Sequence, residues 1–399
     1  MKIVILTGKF GMGHLKAAEA IKEELTALSV SKFTGVSYAQ QDIENIEIVD
    51  WVEYLSPLCA KYIYGGYSRM IRCSMAFYNL HYKSSEKRPT DQKPSRAFAS
   101  YMKMNRLISE KQPDLIISVL ADASKAVSYY KALSGSPIPL VTCITDITGH
   151  PEWINRHTNA YAVGSEEVRR SLIKRGVPEN RIYVTGIPVR QGFAPADSSE
   201  NMQKSHSASE AGKNNRPKVL LMGGGLGLLP KGLDFYKKLS DSVPADITLI
   251  TGKNEKLFRR LHHRFNNIEV LGYVQDIEKY FLRSDLVVTK PGGITTFEAI
   301  CSETPILALN PIMRQEKYNA AFITRHQLGQ TLILEDSAAA IEEMAALIRD
   351  TSRIEHYKSQ MAAMKRSLET CSLINVINEA AVDIPSGGGL HHEIFSFNF

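Results

Sequence analysis

ILTGKFGMGHLKAAEAI (Ile5–Ile21) reads as the end of an apolar strand, a turn broken by Gly8, Gly11 and Gly13, and a helix built on Leu15, Ala17, Ala18 and Ile21. A strand, a glycine turn and a helix in that order open a βαβ unit, and such turns usually cradle phosphate against backbone N–H groups and the helix's positive end. This turn fits neither common template: it lacks G-x-x-x-x-G-K-[ST] and the third-glycine register of the dinucleotide fingerprint. It carries an imidazole, His14, where a phosphate-binding turn would carry lysine. The positive end of a helix penalises imidazolium, which predicts a neutral ring near physiological pH, the state a general base requires.

Working outward, KIVILT, IEIVDW, PDLIISVL (Pro113–Leu120), PIPLVTCITD (Pro137–Asp146) and AYAVGS recur at βαβ spacing. Apolar runs this continuous are buried on both faces, which predicts a parallel sheet covered by helices. From Ala194 to Pro217 no branched aliphatic or aromatic residue occurs, while serine, asparagine and charge abound, the composition of a flexible linker. Beyond it PKVLLMGGGLG repeats the opening theme, and ITLITG, IEVLGYV, DLVVTKPGG and TPILALN supply further strands. The expected organisation is α/β: two doubly wound parallel-sheet domains, residues 1–193 and 218–370, joined by the linker 194–217 and followed by a helix and frayed tail at 371–399. A ligand is expected at the carboxyl ends of the strands, in the cleft between the domains.

A chain of 399 residues with 44% hydrophobic content exceeds one ordinary core. The opening MKIVIL is too short for a signal peptide's apolar region, and no run approaches 18 apolar residues. The five cysteines are scattered without a C-x-x-C pair, as in a reduced cytoplasmic protein. Between Lys61 and Lys111 stand eleven basic and three acidic residues, a surplus larger than the whole chain's +6, together with eight aromatics. Such a stretch suits an anionic membrane surface or nucleic acid, or else a solvated helical face with core-facing aromatics.

The most specific segment is TKPGGITTFEAI (Thr289–Ile300). Gly292 and Gly293 would turn the chain into a helix beginning near Thr295 or Thr296, making an anion site of main-chain amides. Glu298 would then lie on the helix's first turn, where a carboxylate, an acceptor-only group, can take both vicinal hydroxyls of a ribose. Taken alone it reads as an ordinary helix-dipole acid. Downstream, NPIMRQEKYNAA offers Gln315, Glu316 and Asn319 at a spacing that lets one sugar's hydroxyls be reached, or simply a polar helix start.

GKFGMGHLKAAEAI, TDITGHPEW, VTGIPVRQGF, LGYVQDIEKYFLRSDLVVTKPGGITTFEAI and RQEKYNAAFI, in this order, resemble glycosyltransferase family 28, and more narrowly its processive diacylglycerol glucosyltransferases and monogalactosyldiacylglycerol synthases. The resemblance implies a GT-B fold and inverting transfer of a hexose from a UDP-sugar, held by the second domain, to diacylglycerol or a glycosyl-diacylglycerol, held by the first. It implies that Gly224, Gly225, Gly292, Gly293 and Thr295 contact the diphosphate, Glu298 the ribose, Tyr273 and Val274 the uracil, and Gln315 and Glu316 the sugar. His14 would then take or position the acceptor's proton, with Asp146 of ITDITGHPEW as partner carboxylate or as the base itself. Residues 61–111 would dock the protein on the inner face of the cell membrane, with nucleic acid disfavoured as a partner. Asp-x-Asp does not occur, so no catalytic metal and no cofactor beyond the UDP-sugar donor are expected. Alternatives are a UDP-N-acetylglucosamine-dependent transferase acting on another cell-envelope lipid, or a nucleotide-sugar-binding protein without turnover. Arg314 occupies a position that is usually glycine in these relatives, so a reshaped sugar pocket is expected.

Overall fold

The computed structural model describes every residue except 32–42, 74, 195–215, 226, 310, 335–336, 369–370 and 383–399. Almost all of the expected linker and the final tail, with His391 and His392, therefore lie outside the described residues.

The first sheet comprises β1 (Lys2–Thr7), β2 (Asn45–Asp50), β3 (Leu115–Ser118), β4 (Leu140–Cys143), β5 (Ala160–Val163) and β6 (Ile182–Val184). Its order is β2-β1-β3-β4-β5-β6 and every pairing is parallel. Alternation along β1 explains why both faces are covered. Ile3 and Ile5 pack with Ala17, Ala18 and Ile21 of the helix Gly13–Ser31, while Val4 and Leu6 pack with Met104 and Leu107 of the helix Ala97–Lys111.

The second sheet comprises β7 (Lys218–Met222), β8 (Asp246–Ile250), β9 (Ile268–Leu271), β10 (Leu286–Thr289), β11 (Ile306–Leu309) and β12 (Gly329–Leu332), in the order β12-β11-β10-β7-β8-β9 and again wholly parallel. This is the doubly wound order of dinucleotide-binding folds, with its switch point between β7 and β10. The short strands β6 and β12 lack the long apolar runs that announced the others.

The two halves share a continuous apolar core. Phe297 of the second domain lies so close to the first that a Cβ on Gly164 would sit 3.2 Å from its ring. After the helix Thr351–Leu368 the chain crosses back, and its last described helix, Leu373–Val382, packs on β4 and β5 of the first sheet.

One local expectation is corrected. The helix after β10 spans Gly293–Cys301, so it begins at Gly293 and not at Thr295, and Glu298 sits on its second turn. The field of a helix end fades within one turn, so the dipole-acid reading of Glu298 loses its basis.

Candidate active site

The strands flanking the second sheet's switch point, β7 and β10, each run into a glycine turn: Gly223–Gly225 after β7, and Lys290–Gly293 after β10. Gly224 has φ +68°, a left-handed conformation that glycine takes without steric cost. The helix Gly293–Cys301 has Gly292 at its N-cap and no side chain capping it, which leaves its first-turn amides available to an anion. Gly224, Gly225, Tyr273, Val274, Thr295 and Glu298 line one cleft, and Met12, Gly13 and Lys16 of the first domain close it. The two domains meet there at main-chain distance: a Cβ on Gly293 would lie 2.4 Å from the Thr145 carbonyl oxygen, and one on Gly225 would lie 2.7 Å from the Met12 side chain.

Glu298 is half-buried in this cleft, and its carboxyl is pushed up to about 7. Burial is the main cause; the charges of Arg190 and Lys16 and a hydrogen bond with Thr295 oppose it, while Glu278 reinforces it. Arg190 is itself paired with Glu278 at 2.6 Å. A carboxyl in this state lacks a dedicated cation and gains from ligand hydroxyls that donate to it.

In the first domain, next to the cleft-lining Gly13, His14 is the second residue of the helix Gly13–Ser31, and its Nδ1 lies 2.9 Å from Thr145 Oγ1. Its pKa is lowered, first by burial, against the raising effects of Asp146's charge and of a hydrogen bond to the Val119 backbone. The neutral ring expected from the helix field therefore arises chiefly from desolvation. Asp146 follows β4 and accepts a hydrogen bond from Trp153 Nε1 at 3.0 Å, so indole and threonine separately orient the carboxylate and the imidazole. His150 is structural. Its Nδ1 accepts from the Glu152 amide at 3.3 Å, its Nε2 meets Ser85 Oγ at 3.1 Å, and Tyr82 packs against its ring.

The segment after β11 differs more from expectation. Glu316 is 4% exposed, and its Oε2 accepts the amides of Ile312 and Met313, each at 3.1 Å. Its Oε1 pairs with Lys290 at 2.5 Å. Asn319, also buried, donates to the Pro291 carbonyl at 2.9 Å. Both side chains thus brace the Lys290–Pro291 turn. Gln315 lies where the domains meet, and its Oε1 accepts from the first domain's Tyr78 hydroxyl at 2.5 Å. The Arg314 guanidinium runs to Glu86 of the first domain, with Nε–O distances of 3.0 and 2.9 Å and Nη2 at 2.8 Å. Sequence reasoning missed Lys16, Thr145 and Tyr78. Only Lys16 carried a signal, two residues beyond His14 in the same helical turn.

Residues 61–111 form three helices, Ala60–Cys73, Met75–Ser85 and Ala97–Lys111. Their aromatics divide. Tyr64 and Tyr67 pack on Phe10, Tyr78 and Tyr82 hydrogen-bond Gln315 and Thr148 respectively, and Tyr101 packs on Tyr130, whereas Tyr62 and Phe98 are each 79% exposed. No described helix is long and apolar enough to cross a membrane.

Two parallel six-stranded sheets facing each other across a cleft, with paired glycine turns on one side, define a GT-B protein. The same fold is seen in the S. aureus MnaA–UDP co-structure (TM-score 0.55, 12% identity, 98% of this chain and 100% of that one) and in UDP-GlcNAc 2-epimerase from Neisseria meningitidis bound to UDP-GlcNAc (TM-score 0.53, 15% identity, 93% and 100%). Residues 14–189 match the family described as monogalactosyldiacylglycerol (MGDG) synthase, and residues 231–376 match the glycosyltransferase family 28 C-terminal domain. The chain belongs to glycosyltransferase family 28. It is similar to the processive diacylglycerol beta-glucosyltransferase of Staphylococcus carnosus (strain TM300), with 29% identity over 381 residues, 93% of this chain and 91% of the relative.

Proposed function

We propose that this protein transfers a hexose from a UDP-sugar to diacylglycerol or a glycosyl-diacylglycerol, with inversion at the anomeric carbon, in membrane glycolipid synthesis. The observation that carries the reading is the meeting of two unlike groups where the domains join: uncapped helix amides with Glu298 in the second domain, and in the first His14 beside Asp146, next in the chain to Gly13, which lines the Glu298 cleft. The relatives' names supply the acceptor class, and the UDP and UDP-GlcNAc bound by the two solved neighbours support a uridine diphosphate donor.

In this reading the main-chain amides around Gly224, Gly225, Gly292, Gly293 and Thr295 stabilise the departing diphosphate, where charge develops in the transition state. Glu298 accepts the ribose hydroxyls, and Tyr273 and Val274 lie against the uracil. Gln315 meets the sugar, while Glu316 acts through the turn it braces. Neutral His14 receives the acceptor hydroxyl's proton as that oxygen attacks C1 from the face opposite the leaving UDP, and Asp146 stabilises the imidazolium that forms.

Docking to the membrane is assigned to the 58–102 region. Leu58, Tyr62, Leu80, Phe98 and Met102 are 50–89% exposed there, among the exposed bases Lys61, Arg69, Lys83, Lys87, Arg88 and Lys93. Apolar side chains interleaved with basic ones match an anionic lipid surface, each base contributing about 1 kcal/mol. Incubation with diacylglycerol vesicles and each UDP-sugar in turn, followed by product mass and anomeric coupling, tests the whole assignment. Formation of a β-glycolipid from one donor supports it; hydrolysis alone, or no product from any donor, overturns it.

A further inference from the structure

The helix Arg314–Arg325 carries the residues assigned to the donor sugar, yet its N-terminus is incomplete within its own domain. The N-cap position is Met313, whose thioether is a weak acceptor and meets only the Glu316 amide of the first turn. Glu316 reaches back to the amides of Ile312 and Met313, outside the first turn itself, and so does not satisfy the amide of Arg314. Its acceptor comes from the other domain: Arg314 N–H donates to Asn79 Oδ1 at 2.8 Å, and Asn79 Nδ2 donates to the Ile312 carbonyl at 3.1 Å. One carboxamide therefore satisfies both a free donor and a free acceptor of the same turn. Its neighbours on the chain hold the same element. Tyr78 donates to Gln315, and Glu86 takes both the Arg314 guanidinium and the Tyr318 hydroxyl, the latter at 2.9 Å. The Tyr78 phenol, its pKa raised chiefly by burial, stays a donor at working pH.

We propose that Asn79 is a positioning residue for donor-sugar binding: it caps the Arg314–Arg325 helix from the other domain, so that the Arg314 amide and the Ile312 carbonyl of the sugar-contacting turn are satisfied only while the helix Met75–Ser85 is seated on it. This rests on the proposed role of Gln315 as a sugar contact. Its consequence is that the helices assigned to the membrane and the donor subsite share one set of hydrogen bonds, so seating the former orders the latter.

The test separates sugar from nucleotide. In Asn79→Leu the KM for the UDP-sugar should rise roughly three- to thirtyfold, the range a lost helix cap represents. Affinity for UDP alone, measured by calorimetry, should stay within about twofold, since the nucleotide is assigned to the other turns. Amide hydrogen exchange at residues 314–317 should quicken without a change in β7 or β10. Glu86→Arg should also raise the donor KM, and combining it with Arg314→Glu should restore most of the loss. Unchanged exchange at 314–317 in Asn79→Leu overturns the capping claim, whatever the activity. Quickened exchange with an unchanged donor KM confines Asn79 to a structural role and overturns the positioning claim. If the wild-type protein binds UDP-sugar no differently from UDP and makes no glycolipid, the assigned function fails, while the exchange data still judge the cap.

Discussion

The glycine turns of the two domains occupy equivalent places, at the carboxyl ends of central strands, and do opposite electrostatic work. The second domain brings two of them together at its switch point, after β7 and β10, and leaves the amides of the helix Gly293–Cys301 uncapped by any side chain. The first domain has one, after β1, and fills the mouth of its helix with the His14 ring, held by Thr145. The first arrangement concentrates positive potential for an anion. The second buries an imidazole so that it stays neutral beside the Asp146 carboxylate. A glycine turn thus does not specify phosphate by itself; the side chain at the helix mouth and the number of converging turns decide it.

The contrast is most sharply broken at His14. Replacement by alanine should lower kcat by about 10²- to 10⁴-fold, the range of general base catalysis, with UDP affinity essentially retained. Steady-state rates with parallel calorimetry read both quantities, and an active His14→Ala enzyme would remove the imidazole from the mechanism. Glu298→Ala should do the reverse. It should weaken UDP-sugar binding by about tenfold or more, as expected for lost hydrogen bonds to a charged acceptor of about 1.5–3 kcal/mol, with a smaller effect on kcat.

The pH dependences should separate in the same way. Glu298 sits near 7 in the free protein, so its acceptor-only carboxylate form grows as pH rises through that value, and donor KM should fall between about pH 6 and 8. Glu298→Gln should flatten that limb. His14, with its pKa lowered, should place the acidic limb of kcat below the ordinary imidazole value, because the base is lost only on protonation. An acidic limb of kcat above that value would contradict the burial argument.

The smallest expected effects lie on the exposed face of the first domain. Lys83→Gln or Lys87→Gln should each weaken binding to anionic vesicles by about fivefold, in line with roughly 1 kcal/mol per base, and leave turnover on detergent-dispersed acceptor unchanged. Vesicle co-sedimentation at rising salt measures this, and indifference to both charge and salt would move the docking face elsewhere.

Much of the site could be read locally. Gly224, Gly225, Gly292 and Gly293 belong to turns whose shape follows from adjacent residues, and Tyr273 and Val274 follow a recognisable strand, while Glu298 lies one helical turn later than local pattern implies. The residues misread are those whose partners are remote in sequence. Arg314 was an oddity in a sugar-binding turn until Glu86 supplied its charge partner. Glu316 offered two free oxygens until Lys290 and two amides took them. The aromatics of 61–111 shared one composition, but only packing separated Tyr64 and Tyr67, against Phe10, from exposed Tyr62 and Phe98.

The amino-acid order alone determined two parallel sheets and the places where each strand yields to a glycine turn, because apolar periodicity and backbone freedom act over a few residues. The assembled tertiary structure decided which helix mouth keeps uncapped amides and which holds a buried imidazole, and which polar side chains are taken up by partners from other segments. Those properties depend on burial and on hydrogen bonds between groups as far apart in sequence as Asn79 and Arg314, and local pattern carries neither.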